Sequence, residues 1–325
     1  MKEVKGAVFV IISAVIFGFM PIAAKYIYAA GGNSASLTVY RYSLSLPLLL
    51  FLAVREQAGG RAAGIRQDAS GRQKCEGDSL RIPLILRLKK ATHINSCQLK
   101  QFIILSAGFC MTPLLLFASY NYISAGSATT IHFSYPVFVI LASIFIFREK
   151  VSGVKKAGLA FCFIGLVLFY EPGQAEGTIG ILLSLASGVT YTFYMMFFDR
   201  STLKYMKPFK TNFYLSLISA ILAFLFAIVT DSFVLLTTPG AWAMAAGFSF
   251  TISVVACILF QLGIALIGAQ KSAVLSTFEP ITSVILGVIL FQEKVGLKTV
   301  LGVLFILAAV LGITLFDKNK VRRES

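Results

Sequence analysis

Long stretches without a formal charge constrain this chain more than any other feature of its sequence. Residues 101–147 contain no charge, nor do residues 232–270, and another 20 such residues lie between Lys210 and Asp231. A helix needs about 20 apolar residues to cross a bilayer, where only helices and closed barrels satisfy every backbone polar group. A barrel would alternate apolar and polar residues, and these runs do not. The pattern predicts an all-α integral membrane protein.

Turn residues and charges divide the apolar sequence into ten predicted transmembrane helices. Cytoplasmic flanks of such helices carry an excess of Lys and Arg. With the N-terminus inside, 25 of the 29 Lys and Arg residues lie in cytoplasmic segments. We therefore expect both termini on the cytoplasmic side of the cell membrane. The predicted spans are 6–27, 35–54, 101–120, 126–147, 154–171, 177–198, 211–230, 241–266, 272–292 and 298–316.

Residues 55–100 are the one long polar interruption, and residues 318–325 form a basic tail. We interpret the first as a long cytoplasmic loop and the second as a cytoplasmic extension. The formal net charge of +15 follows from this topology and suits contact with anionic membrane lipids. A nucleic-acid partner is therefore not needed to explain the charge.

A charged phrase occurs twice, as FREKV at 147–151 and as FQEKV at 291–295. The correspondence divides the chain into a first repeat, 1–171, and a second, 172–317, each with five predicted spans. Because five is odd, the second repeat crosses the membrane inverted, and two inverted repeats can rock about a midplane site to give alternating access. The aligned pairs are Pro136 with Pro280, Phe147 with Phe291, Glu149 with Glu293, Lys150 with Lys294, Val151 with Val295, Gly158 with Gly302, and Phe161 with Phe305.

These residues also carry a resemblance to a known family. FG at 17–18 followed by Lys25, YRYSLSLPLLL at 40–50 and PVFVILASIFIFREKV at 136–151 resemble the EamA-domain type of the drug/metabolite transporter superfamily. The resemblance implies ten helices in two inverted EamA repeats and transport of small metabolites, often amino-acid export. The chain departs from the family pattern in the length of 55–100 and in the Phe-Arg and Phe-Gln pairs that replace a Leu-Gly pair before Glu.

Ionisable side chains inside the predicted spans are candidates for function. Each costs about 2.5 to 3.5 kcal/mol at a helix centre unless it finds a partner or water. Glu279 lies about eight residues into the ninth span, where it either binds a substrate cation or a proton, or is a protonated side chain satisfied by a neighbouring helix. Arg41 in the second span either receives a substrate carboxylate or extends outward to lipid headgroups.

The repeat adds polar candidates beside these charges. It pairs Glu279 with Tyr135 and Ser276 with His132, and each copy places its two residues three apart, on one face of a helix. A proline follows Tyr135 and Glu279 directly. It leaves the carbonyls of His132 and Ser276 without their usual helical donor, which suits a polar site. The alternative for His132 is a structural role.

Three more side chains are candidates to line a substrate pocket. Tyr191 and Tyr194 in the sixth span are spaced to share a helix face, and Gln261 lies in the eighth span. Packing between helices is the alternative explanation for all three. Together with the charged pair, they favour a small zwitterionic or amphipathic substrate.

The sequence gives no support for an enzyme or for a resident cofactor or metal. It contains no GxxxxGK[ST] loop, and its two histidines, His93 and His132, form no HExxH motif. We expect a secondary carrier, with a proton as a candidate coupling ion. A nucleotide-sugar or organophosphate exchanger of the same fold is the alternative, although such anions need several cavity cations. A channel is the alternative from a different class.

Overall fold

The computed structural model describes residues 2–62, 93–147, 153–168, 175–276, 278–292 and 296–321. These residues form helices and short connections, with no β-strand in the ranges described. The α-helices are α1 Lys2–Phe17, α2 Met20–Ala29, α3 Ser34–Ser43, α4 Leu46–Ala62, α5 Ser96–Ser119, α6 Ala125–His132, α7 Tyr135–Phe147, α8 Gly153–Leu168, α9 Ala175–Arg200, α10 Pro208–Val229, α11 Pro239–Phe248, α12 Cys257–Leu275, α13 Phe278–Phe291 and α14 Leu297–Val321. A 3₁₀ turn, Thr202–Tyr205, precedes α10, and a π turn, Ser249–Ala256, joins α11 to α12.

The all-helical membrane class predicted from the sequence is confirmed. Within the described ranges, six helical stretches are long and apolar enough to cross a bilayer, and three shorter apolar helices accompany them. The total of ten spans stays a prediction. The six stretches are Glu3–Ala29, Ser34–Glu56, Ser96–Ser119, Gly177–Arg200, Pro208–Val229 and Pro239–Gly268. The three shorter helices are Lys156–Leu168, Phe278–Leu290 and Leu297–Ala309.

Proline interrupts four of the apolar stretches. The breaks separate α1 from α2, α3 from α4, α6 from α7, and α12 from α13. In each case the second helix carries a proline in its first turn. Proline lacks an N–H and its ring collides with the carbonyl four residues earlier, so a helix readily ends ahead of it. The four prolines are Pro21, Pro47, Pro136 and Pro280.

The four breaks divide the predicted spans 6–27, 35–54, 126–147 and 272–292, so none of these is a single helix. The span predicted at 126–147 is broken between His132 and Tyr135, and the span predicted at 272–292 becomes a new helix only at Phe278. The prediction that His132 and Tyr135 share a face of one helix is wrong, because the break separates them, and the same holds for Ser276 and Glu279. Glu279 lies in the first turn of α13 rather than eight residues into a helix.

The predicted loop at 55–100 is shorter at both ends than the sequence suggested. Helix α4 continues to Ala62, and α5 begins at Ser96. Asn95 caps α5 by accepting from the Gln98 backbone N–H, while the Gln98 side chain accepts from the Asn95 N–H. This reciprocal capping box explains the early start of α5.

Several predictions fall outside the described residues. They concern residues 63–92 of the loop, most of the two Glu-Lys phrases (148–152 and 293–295), the boundary between the repeats at 171/172, and residues 322–325 of the tail. The repeat and its boundary therefore stay predictions.

Three pairs of helices form the most extensive contacts in the bundle: α8 with α14, α1 with α12, and α5 with α9. Glycine permits the first of these approaches. A Cβ atom at Gly165 in α8 would lie 3.0 Å from the carbonyl oxygen of Gly302 in α14. Small residues let helix backbones approach closely in a membrane, where association relies on packing. The pair of α1 with α12 and the pair of α5 with α9 join early and late parts of the chain.

Candidate functional site

A cavity lies inside the bundle, between helices from both halves of the chain. The empty space among its lining atoms is about 550 Å³, a volume that includes space open to the surroundings. Its wall is formed by Phe17, Met20, Arg41, Phe109, Thr112, Pro113, Leu116, His132, Tyr191, Tyr194, Cys257, Phe260 and Glu279.

The helix breaks place residues in this wall. Phe17 and Met20 flank the break between α1 and α2, and His132 is the last residue of α6. Arg41 lies in the last turn of α3, just before the next break, and Glu279 lies in the first turn of α13. Irregular backbone at membrane depth is tolerated where it is buried in protein or lines a cavity. The four interruptions therefore lie beside the cavity, where their polar groups are tolerated.

Arg41 is buried among weak hydrogen-bond acceptors. Its side chain is 5% exposed, its Nη1 lies 3.9 Å from Met20 Sδ, and its Nη2 lies 3.9 Å from Cys257 Sγ. Its Cζ lies 5.2 Å from the centre of the Tyr42 ring, and Nε has no hydrogen-bond partner among the described residues. Sulfur is a poor acceptor. The guanidinium therefore does not extend to lipid headgroups, and it keeps donors available for an oxygen ligand.

Glu279 supplies a buried carboxyl group in the same cavity. Its side chain is 7% exposed and lies within electrostatic reach of Arg41. The two side chains nevertheless form no ion pair with each other in this structure. Close packing fixes the start of α13, because a Cβ at Gly18 would lie 3.0 Å from the Glu279 carbonyl oxygen. A buried arginine and a buried carboxyl group thus face one cavity without being joined.

His132 is held rigidly in the wall. Its Nδ1 lies 2.7 Å from Ser187 Oγ, and the Ser187 hydroxyl donates to the Ser184 carbonyl at 2.7 Å. Because that hydroxyl has a single proton, Nδ1 of a neutral His132 is the donor in this contact. The His132 carbonyl packs against Gly188, where a Cβ would lie at 2.9 Å. Nδ1 is thus engaged, and the ring keeps one nitrogen, Nε2, as an acceptor.

An aromatic cluster forms much of the remaining wall. The ring centres of Tyr191 and Tyr194 are 6.0 Å apart, those of Tyr191 and His132 are 5.4 Å apart, and those of Tyr194 and Phe109 are 5.0 Å apart. Tyr191 also stacks on Phe260 at 6.3 Å. This surface can contact apolar or aromatic groups of a solute, while the tyrosines keep a polar hydroxyl.

Five of the eight residues predicted to bind substrate line the cavity, and three do not. Tyr135 lies behind the wall, with its ring centre 4.8 Å from that of Tyr191, and Ser276 lies beside the Tyr135 hydroxyl. Gln261 Nε2 donates to Asn212 Oδ1 at 3.4 Å outside the cavity. A role in binding stays a prediction for all eight. The five in the wall are Arg41, His132, Tyr191, Tyr194 and Glu279.

Sequence reasoning missed the apolar wall residues. Phe17, Phe109, Leu116, Cys257 and Phe260 are ordinary residues of transmembrane helices, and no pattern separates them from residues that face lipid. Proline was a usable signal. Each of the four helix breaks lies near the cavity, so the positions of their prolines in the sequence indicate the depth of the site.

Pro113 creates one further polar feature in the wall. It lies inside α5 and cannot donate to the carbonyl of Phe109, four residues earlier. The buried Tyr42 hydroxyl donates to that carbonyl at 2.6 Å. The same tyrosine ring lies under the Arg41 guanidinium. A side chain from α3 thus replaces the missing backbone donor of α5 and ties the two helices together beside Arg41.

A helical membrane bundle with an interior cavity, interrupted helices, a buried arginine and a buried carboxyl group has the architecture of a transporter. The chain belongs to the EamA-like transporter family, whose model matches residues 79–170 and 178–315. The family predicted from the sequence is thereby confirmed.

Relatives of the chain carry the same general description. It is 26% identical over 311 residues to the uncharacterized transporter YcbK of Bacillus subtilis, which covers 91% of this chain and 88% of that protein. An uncharacterized transporter of Archaeoglobus fulgidus is 30% identical over 177 residues, and the uncharacterized transporter sll1319 of Synechocystis sp. is 28% identical over 216 residues. The matches span 62% and 63% of the lengths of these two relatives.

One solved crystal structure is similar over 96% of this chain and 98% of its own, with a TM-score of 0.61 and 15% sequence identity. At that identity the likeness shows the fold alone. Information on the substrate therefore comes from the residues that line the cavity.

Tyr42→Phe should lower the free energy of unfolding by about 1 kcal/mol, because it leaves the Phe109 carbonyl buried without a donor. In a Pro113→Ala background, residue 113 regains its N–H, so the same substitution should cost less. Denaturation in detergent would measure both differences, with the exposed Tyr205→Phe as a control. Equal losses in the two backgrounds would contradict this role of Pro113.

Proposed function

We propose that this protein is a secondary carrier of small zwitterionic metabolites, amino acids or close analogues of them, in the cell membrane. The observation that carries the proposal is the pair of buried, unjoined charges, Arg41 and Glu279, in the wall of one cavity. An α-amino acid carries a carboxylate and an ammonium group only a few bonds apart. It supplies one partner for each charge.

The chemistry of the two side chains suits this division. A planar guanidinium can hold a carboxylate through two parallel hydrogen bonds, which gives both affinity and orientation. The Glu279 carboxylate would hold the ammonium group. A buried charge that lacks a partner is strongly unfavourable, so a ligand that neutralises both charges offsets its own desolvation. The aromatic cluster would then contact the rest of the substrate. This favours an amino acid whose side chain is uncharged and apolar.

The balance of charge argues against the exchanger of nucleotide sugars or organophosphates. Among the wall residues, Arg41 is the one basic side chain with a permanent charge, and Glu279 opposes it. A phosphate group carries up to two negative charges and usually takes several cationic donors. The described wall provides a net charge near zero, which matches a zwitterion.

Two equivalent halves can rock about a central site to give alternating access, and the helix contacts support such an equivalence. If α1–α2 is the first span and α9 the sixth, the α1 contact with α12 joins spans one and eight, and the α9 contact with α5 joins spans six and three. Exchanging the halves converts one pair into the other. The same exchange leaves the pair of α8 and α14, spans five and ten, unchanged.

Equivalent residues of the two halves also meet at the interface between α8 and α14. Phe161 and Phe305, which correspond in the repeat alignment, have ring centres 5.5 Å apart. A residue that contacts its own counterpart lies near the axis that relates the halves. The family model also matches one segment in each half. If each half has five spans, the two halves cross the membrane in opposite directions, so the axis that relates them lies in the membrane plane. The cavity can then open to either side in turn.

Transport in proteoliposomes tests the substrate assignment. Arg41→Gln should lower zwitterion uptake at limiting substrate by on the order of tenfold or more, since it removes charge-assisted hydrogen bonds, and Arg41→Lys should keep a larger part. Glu279→Gln should lose uptake of zwitterions while gaining relative uptake of the matching deaminated acids. Uptake with and without a pH gradient would show whether a proton drives the carrier.

Two exposed residues of the same charge types provide controls. Arg55→Gln and Asp231→Asn should leave uptake unchanged, because both side chains are exposed away from the cavity. Unchanged uptake in Arg41→Gln, or an ionic current far above carrier turnover, would overturn the proposal, the latter in favour of a channel.

Labelling of two equivalent positions tests the inversion. Gly153 and Leu297 start α8 and α14 and are both exposed. In a background with the native cysteines replaced by serine, Gly153→Cys should react with an impermeant maleimide from the cytoplasmic side and Leu297→Cys from the other side. Tyr205→Cys, predicted cytoplasmic, serves as the side marker. Reaction of Gly153→Cys and Leu297→Cys from one common side would exclude inverted repeats.

A further inference from the structure

Side chains from two other helices donate to backbone carbonyls of the π turn between α11 and α12. Asn212 Nδ2 of α10 donates to the Ser253 carbonyl, and Ser13 Oγ of α1 donates to the Ala256 carbonyl at 2.8 Å. π turns are rare and frequently lie at functional sites. Here the turn is followed directly by Cys257, whose sulfur contacts the Arg41 guanidinium.

The same turn holds the backbone of Arg41. Because α3 ends at Ser43, the Arg41 carbonyl is open to other donors, and it accepts from Ser249 Oγ at 2.6 Å and from Ser253 Oγ at 3.0 Å. The two serines are four residues apart, about one turn. Both are fully buried, so these hydrogen bonds do not compete with water.

A polar connection therefore runs from one part of the cavity wall to another. It starts at Tyr194, whose hydroxyl lies against Gln261, and Gln261 Nε2 donates to Asn212 Oδ1 at 3.4 Å. Asn212, 0% exposed, then donates to the Ser253 carbonyl, and the Ser253 hydroxyl donates to the Arg41 carbonyl. Asn212 and Ser253 do not line the cavity themselves.

We propose that Asn212 and Ser253 are positioning residues that set where the Arg41 guanidinium meets its ligand. The guanidinium contacts two sulfur atoms and one aromatic ring, none of which fixes its direction strongly. Its placement depends instead on the backbone from which it extends. A bidentate contact with a carboxylate tolerates only small displacements, so the residues that hold this backbone decide its affinity.

The identity of the ligand as a carboxylate rests on the proposed function, but the placement of Arg41 does not. The affinity for substrate should therefore depend on these residues more than the maximal rate does. Ser253→Ala and Asn212→Ala should raise the KM for a zwitterion at least about fivefold while largely preserving kcat. Ser253→Thr, which keeps the hydroxyl, should restore the KM.

Cys257 offers a readout of Arg41 that requires no substrate. Its thiol reacts with methanethiosulfonates to form a mixed disulfide and release a sulfinate, and the nearby guanidinium should favour an anionic reagent over a cationic one. We expect the ratio of the two rates to fall on the order of tenfold in Arg41→Gln. The measurement uses the full chain in proteoliposomes, with the other four cysteines replaced by serine.

In this assay Ser253→Ala and Asn212→Ala should lower the rate ratio towards the Arg41→Gln value. Ser216→Ala is the matched control, because Ser216 lies on the same helix as Asn212 and its buried hydroxyl has no hydrogen-bond partner among the described residues. A ratio that stays at the wild-type value in both variants while Arg41→Gln lowers it would overturn the positioning role. This assay tests the placement of Arg41 whether or not the protein transports zwitterions, because zwitterion transport is measured separately by the uptake of the wild type.

Discussion

The site depends on Arg41, whose buried guanidinium finds no oxygen acceptor among the residues that the structure describes. Removing such a group from water costs several kcal/mol unless other acceptors replace its hydration, and sulfur atoms and an aromatic ring do so only partly. A direct contact with Glu279 would recover more of that free energy. The protein instead holds the two charges in one cavity and apart. Stability alone does not favour this arrangement, whereas the proposed zwitterionic ligand would.

The interrupted helices make such an arrangement feasible. Each break removes backbone hydrogen bonds at a depth where water is scarce, so side chains must replace them. Tyr42 does this inside α5, where Pro113 deprives the Phe109 carbonyl of its helical donor, and Thr192 Oγ1 donates to the Tyr135 carbonyl at 3.1 Å at the start of α7. These hydrogen bonds join neighbouring helices to one another beside the site.

The sequence predicted the class of fold because charge-free runs and the distribution of Lys and Arg follow from the physics of the bilayer. It also located Arg41 and Glu279, since an ionisable residue inside an apolar run is conspicuous. It did not predict that His132 and Tyr135 are separated by a helix break, because a proline within a membrane helix can produce a kink or an end. Nor did it reveal Phe260 or Asn212, whose roles arise from contacts between distant segments and leave no local pattern.

An experimental structure with a bound α-amino acid tests the central claim most directly. We predict that the ligand lies in the cavity lined by Arg41 and Glu279, with its carboxylate on the Arg41 guanidinium and its ammonium group on the Glu279 side chain. A structure in which Arg41 and Glu279 pair directly with each other while the ligand binds elsewhere would contradict this claim.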